Sequence, residues 1–417
     1  GHELAAGDKV FAYKVNAYDD GDTATVDYIS EDAPYSAGPT TVISELGETW
    51  SEPQFGLVKT ATGVDTHVLF VGGGYSSDNS KGKTVLAINV EDGTLVKQFA
   101  AGMSSPFPGS VSAIDEDGNG YVDKLYVGDL GGQMWRFASF IDTTDGSTLT
   151  FPDCNEIINH AGYPWTGQVF FKTDDNNSRK FFYPPSVTLE KGYDLVFMGT
   201  GDRENACCNT TTVACSSSEP DILCAVKDTH SSSTIIGEED IAGTLYPKEL
   251  VDVTDPTDTP PDLSDPSSNV DGGNGAGYLD KGWYIRLVDD NGDAVGEKAL
   301  AKGTVFFENY YITTFTPNDE PCVPGGEGKL YALSYLTGGA AIDFDDDGSN
   351  DRSLTIGGGI PSKPVMIIRD SGTQLLISVG STNPDADSED VGAGVLNIDP
   401  VVPEINFFYL WWRELFD

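Results

Sequence analysis

Positive charge is scarce in this sequence. Lys and Arg together number 24 against 66 Asp and Glu, a formal net charge of −42 with His neutral. A phosphate backbone would be repelled by such a surface, which excludes nucleic acid as a partner. No apolar run approaches the length of a membrane-spanning helix. The start, Gly1-His2-Glu3-Leu4, lacks signal-peptide character, and the chain is expected to be a processed or truncated piece of something larger. There is no C-x-x-C, and His2, His67, His160 and His230 are scattered, so a zinc site fails on spacing. A nucleophile elbow, a phosphate loop and a zinc-histidine helix motif are all missing as well.

Long stretches of helical period are also absent. With 48 Gly, 23 Pro and 11% aromatics in 417 residues, the composition predicts an all-β chain of many short strands joined by tight turns. Excess carboxylate suits life in salt, binding of divalent cations or solubility in crowded surroundings, and plain solubility explains most of it. Six cysteines, at 154, 207, 208, 215, 224 and 322, form an even set with four close together, which predicts disulfides in an oxidising compartment.

The stretch around which the rest is organised runs from Val111 to Phe137. Asp115, Asp117 and Asn119 fall at alternate positions, Gly120 follows, and Asp123 closes the series. Oxygen ligands at positions one, three and five, a carbonyl at seven and a carboxylate at nine can wrap one hard cation, with a glycine at six for the turn. The predicted calcium ligands are therefore Asp115, Asp117, Asn119, the Tyr121 carbonyl and Asp123. The bidentate glutamate of the helical calcium hand is missing, since position twelve is Tyr126 within a β-prone run. The loop is expected to join two strands. The alternative reading is an acidic hairpin turn without metal, because Asp, Asn and Gly favour turns anyway.

A second acidic loop, Asp343 to Asp351, repeats that spacing, with Asp343, Asp345, Asp347, the Ser349 carbonyl and Asp351 as candidate ligands. The turns at Asp289–Asp293 and Asp19–Asp22 lack the carboxylate at nine and read as plain turns.

One phrase recurs along the chain: an apolar strand ends in a glycine-bearing turn, a variable loop follows, and a second strand ends in another such turn. His67–Val71 with Thr84–Val90 is one copy and Leu125–Phe137 another. Further copies are Asp194–Asp202 with Ile222–Lys227, Tyr310–Thr316 with Gly328–Gly338, and Gln374–Gly380 with Gly392–Asp399. Adding the N-terminal hairpin and the pieces around Trp283 and Trp411 gives about seven units of propeller-blade size. Residues 1–417 are thus expected to form one β-propeller domain. Its rhythm is interrupted at 202–280 by a loop-rich insertion, stapled by disulfide near its start, whose Asp, Thr, Ser, Pro and Gly content cannot build a core. The aromatic run Ile405–Trp412 is expected to pack into the last blade.

Several ordered pieces carry a family resemblance: Phe70-Val-Gly-Gly-Gly-Tyr75, the calcium loop leading to Leu125-Tyr-Val-Gly-Asp-Leu130 and Trp135-Arg-Phe137, and Gly199-Thr-Gly-Asp202. Thr313-Thr-Phe-Thr-Pro317 with Cys322, Leu330-Tyr-Ala-Leu333 and Trp412-Arg-Glu-Leu415 complete the set. In these the chain resembles the C-terminal domain of the PilY family of type IV pilus tip and assembly proteins. The resemblance implies a modified seven-bladed, quinoprotein-like β-propeller with calcium at Asp115–Asp123. It also implies a non-enzymatic role in pilus biogenesis, retraction control and surface adhesion, extracellular at the pilus tip after export through the periplasm. The partners would be minor pilins and a host or abiotic surface. The resemblance covers the family's C-terminal domain and is not expected to include its N-terminal region; no Arg-Gly-Asp triplet is present, so integrin binding does not carry over.

Two other functions fit parts of the sequence. A pyrroloquinoline quinone dehydrogenase would share the propeller, and its vicinal disulfide resembles the Cys207-Cys208 pair, but a shared fold does not carry chemistry. A purely structural pilus cap would differ from an adhesin only in binding no surface ligand.

Overall fold

Nearly all regular structure is antiparallel, as expected where β-branched and aromatic residues alternate between turns rich in Gly and Asp. The computed structural model describes residues 45–61, 64–142, 148–150, 164–173, 179–204, 220–230, 250–256, 281–317, 326–345, 347–369 and 372–382. It also describes residues 12–15, 26–29, 157, 236–237, 263 and 395–398. No helix occurs among them. By packing the chain divides into two units, Gly1–Pro185 with His230–Ile236 and Ser186–Thr229 with Gly237–Asp417.

The first unit opens with a hairpin, β1 (Ala12–Val15) and β2 (Val26–Ile29). A four-stranded sheet follows, from β3 (Gln54–Ala61), β4 (Val64–Gly72), β5 (Val85–Asn89) and β6 (Leu95–Phe99) in that order. Next come β7 (Ser112–Ile114), β8 (Lys124–Gly128) and β9 (Gln133–Ala138), then a small hairpin, β10 (Phe140–Asp142) and β11 (Thr148–Thr150). Strand β12 (Thr166–Lys172) returns to pair with β9, leaving β7 at one edge of this five-stranded sheet and Ile236–Gly237 at the other. Alternate residues point inward as the pleat dictates: Val58, Val68, Phe70, Val85 and Ala87 meet Leu125, Val127, Trp135 and Phe137 in one core. Burying each large side chain contributes roughly 1.5–3 kcal/mol.

In the second unit a five-stranded sheet runs β13 (Ser186–Glu190), β14 (Tyr193–Gly199), β15 (Ile222–Asp228), then Gly282–Arg286 and Val251–Asp252. With Ile236–Gly237 as β16, the last two are β18 and β17, and they pair in parallel. A six-stranded sheet contains β19 (Lys298–Ala299), β20 (Thr304–Phe306), β21 (Asn309–Pro317), β22 (Gly326–Ser334), β23 (Ser353–Gly358) and β26 (Ser381–Thr382). The third sheet is β24 (Val365–Arg369), β25 (Gly372–Ser378) and β27 (Val395–Ile398). Strand β21 is apolar without clean alternation because both its faces are buried. Tyr310 and Ile312 enter the core of Phe197, Leu223 and Trp283, while Tyr311 enters that of Leu330, Ile356 and Leu375. Gly199 permits close approach there, since a Cβ would lie 2.4 Å from that of Ala299.

All five strand pairs read from the sequence form, as does the N-terminal hairpin. Among the described residues there are five sheets of three or more strands, against the seven units counted in the sequence. The Trp283 piece is not a unit of its own: β18 pairs with β15 from Ile222↔Arg286 to Val226↔Gly282. Apolar pattern reveals that a strand exists but not which neighbour it takes after a long excursion. Likewise β15 lies inside the span 202–280, as do Ile236–Gly237 and Val251–Asp252, each paired in a sheet. Cys224 sits in β15, buried, rather than in a surface loop. Cys154, Cys207, Cys208, Cys215, Cys322 and the run 405–412 lie outside the described residues.

Candidate metal centre

The first acidic loop connects β7 to β8, whose register Ser112↔Tyr126 to Ile114↔Lys124 brings Ile114 and Asp123 to the loop's two ends. The Asp123 amide donates to the Ile114 carbonyl at 2.8 Å, closing it. Every residue of β8 is buried, so the strand is fixed by the core, and Asp123, at its threshold, is drawn to 2% exposure.

Within the loop, backbone amides converge on the first carboxylate. Asp115 Oδ1 accepts from Gly118 at 2.8 Å and Asn119 at 3.2 Å, and Oδ2 accepts from Gly120 at 2.8 Å. Asp117 accepts from the Asn119 amide at 3.0 Å and from its Nδ2 at 2.8 Å, while Asn119 Oδ1 accepts from the Tyr121 amide at 2.8 Å. These are Asx turns, and they need left-handed backbone at Gly118 (φ 76°) and Gly120 (φ 90°).

The result is convergence. Carboxylate oxygens of Asp115, Asp117 and Asp123 lie within 4.8 Å of one another. At that separation each like-charge pair costs roughly 1–3 kcal/mol between aqueous and protein-surface dielectric. Burial pushes the Asp123 carboxyl up to about 7; a hydrogen bond from the Glu116 amide opposes the rise, and the charges of Asp117, Asp115 and Glu116 add to it. Asp123 Oδ2 accepts that Glu116 amide at 2.8 Å. Its Oδ1 is buried and has no hydrogen-bond partner, an arrangement costly unless a cation supplies one. The donor set, all oxygen and carboxylate-rich, suits a hard divalent cation such as calcium.

The second loop repeats the hydrogen-bond pattern. Asp343 Oδ2 accepts from Gly348 at 2.8 Å, as Asp115 does from Gly120, and Asp351 Oδ2 accepts from Phe344 at 3.1 Å, as Asp123 does from Glu116. Asp347 Oδ1 accepts from the Ser349 amide at 2.7 Å. Here Asp343, Asp345 and Asp347 converge. Asp351 stands outside that group, and among the described residues no buried oxygen of this loop lacks a partner. Asp289–Asp293 is a plain turn, the Asp289 amide donating to the Asp293 carbonyl at 3.0 Å.

Three neighbours of the first loop carry no signal in local spacing. Lys124, fully buried, places its Nζ 2.8 Å from Glu116 Oε2 and 3.1 Å from His230 Nε2, a residue 106 positions away. Lys59 of β3 lies over the Tyr121 ring. Asp129, in the turn after β8, is fully buried and accepts from Trp135 Nε1 at 2.8 Å and the amides of Gly131 and Gln133 at 2.8 and 3.0 Å. Burial pushes its carboxyl up to about 6 against those hydrogen bonds.

Residues 2–178 match the model of the PilY1 beta-propeller domain. Over 340 residues the chain is 26% identical to the type IV pilus biogenesis factor PilY1 of Pseudomonas aeruginosa UCBPP-PA14, covering 71% of this chain and 27% of that protein. A PilY1 homolog of Xylella fastidiosa is 26% identical over 296 residues, 65% of this chain and 18% of the homolog. The chain thus spans about a quarter or less of the length of the curated relatives it matches. The crystal structure of the Pseudomonas aeruginosa PilY1 C-terminal domain superposes with a TM-score of 0.55 at 17% identity, covering 88% of this chain and 82% of that domain. In sequence and in fold this all-β chain is thus similar to the C-terminal β-propeller domain of the PilY1 proteins.

Proposed function

We propose that this chain serves type IV pilus biogenesis as a non-enzymatic, calcium-binding module at the pilus tip. It would work outside the cell beside minor pilins and in attachment to surfaces. What supports the pilus role is its likeness to proteins named as pilus biogenesis factors. What supports the metal is one observation: Asp123 Oδ1, buried without a partner amid converging carboxylates. Asp115, Asp117 and Asp123 would hold the ion with Asn119 and the Tyr121 carbonyl. Bound there, calcium supplies the counter-charge these side chains lack, and the loop becomes rigid. The loop at Asp343, Asp345, Asp347, Ser349 and Asp351 would be a weaker second site. Seven blades belong to the same proposal, with five sheets among the described residues.

Calorimetric titration with calcium tests the metal: the wild type should give a saturable isotherm and Asp117→Ala a much weaker one, and identical curves would remove the site. The pilus role is tested by counting sheared surface pili in cells whose full-length protein lacks this chain. Undiminished piliation and attachment would overturn it.

A further inference from the structure

The seventh position of such a loop supplies only its backbone carbonyl, so in a loop standing alone its side chain is free to vary. Here two consecutive residues are fixed against β3. Lys59 Nζ sits 3.4 Å from the centre of the Tyr121 ring. The Val122 amide donates to the Leu57 carbonyl at 2.9 Å. The Val122 side chain packs on Gly56, where a Cβ would lie 2.6 Å from Val122 Cγ2, and Asp123 follows directly. Lys59 is itself held, its carbonyl accepting from the Ile157 amide at 3.0 Å and its ammonium 3.8 Å from Asp65 across the β3–β4 pair.

We infer that Lys59 and the Tyr121 ring form a clamp by which β3 presets the Tyr121 carbonyl and Asp123 for the cation, with Lys59 a positioning residue. The inference rests on the calcium reading of the loop. It makes a prediction of unusual sign. An ammonium this close to a cation site repels the ion, so electrostatics alone predicts tighter binding when Lys59 is removed. A cation on a ring face is attractive and geometrically demanding, so a clamp predicts the reverse.

The test is calcium titration calorimetry on the whole chain for wild type, Lys59→Met, Lys59→Arg, Tyr121→Ala and the double variant Lys59→Met/Tyr121→Ala. Hydrogen exchange of the Tyr121–Asp123 amides is followed in chelator. Each of Lys59→Met and Tyr121→Ala should raise Kd about five- to tenfold, Lys59→Arg should stay within about twofold of wild type, and the double variant should bind no more weakly than the worse single. In chelator, both single losses should speed exchange at Val122 and Asp123. An unchanged or tighter Kd for Lys59→Met, or additive losses in the double variant, overturns the clamp. Wild-type binding with indifferent variants removes the clamp alone, whereas a wild type that takes up no calcium removes the metal reading and the clamp together.

Discussion

Asp123→Asn should stabilise the calcium-free protein and abolish its response to calcium. The substitution keeps a carbonyl oxygen for the Glu116 amide, now received at 2.8 Å, and removes one charge from the cluster. Burial is the main reason the carboxyl stands at about 7 against an ordinary 3.8. A group raised in this way binds its proton more tightly when folded. Its contribution is fully present below pH 3.8 and lost as pH rises through about 7. The full linkage value is about 4 kcal/mol, and partial solvent access reduces it to the order of 2 kcal/mol. In chelator, wild-type stability should therefore fall by about that amount between pH 3.8 and about 7, more than half of it above pH 5, and Asp123→Asn should lose this dependence. Saturating calcium at about a hundred times Kd should restore about 2.7 kcal/mol to the wild type. For a domain of 150–250 residues each kcal/mol shifts Tm by about 2–4 °C, so the differences are within reach of scanning calorimetry at pH 5, 6, 7 and 8. If Asp123→Asn is no more stable than wild type in chelator at pH 8, or keeps a calcium-dependent Tm shift, the crowded-carboxylate argument is wrong.

Asp129→Ala would leave the buried Trp135 indole and the Gly131 and Gln133 amides without an acceptor. Urea unfolding should show a loss of about 2–4 kcal/mol, unaffected by calcium. Gly120→Ala places a side chain at φ 90° with no steric neighbour within 4 Å, so backbone strain alone acts. It should cost about 1–2 kcal/mol in chelator and weaken calcium binding by calorimetry; an unchanged isotherm would mean the loop tolerates a different turn.

Local composition made the strands legible. His67–Val71 and Thr84–Val90 are short apolar runs rich in β-branched residues that end in glycine-bearing turns, and they pair as β4 and β5. The turn from Asp115 to Asp123 was equally legible, since its acidic residues sit within nine positions and their turn chemistry is local. Pairing across long excursions was not. Trp283 joins β15 because its indole donates to the Tyr335 carbonyl at 3.0 Å and its ring fills a core shared with Phe197 and Tyr310. Nothing near residue 283 announces those partners.

By itself the sequence determined the all-β class and the order of the acidic residues in the loop, because turn preference, β-propensity and motif spacing act over a few residues. Only the tertiary structure decided that Asp123 is buried, that its Oδ1 lacks a partner, and that Lys59 and His230 stand beside the loop. Those properties depend on desolvation and on approach between residues as far as 106 positions apart, which the folded core sets and no local pattern encodes.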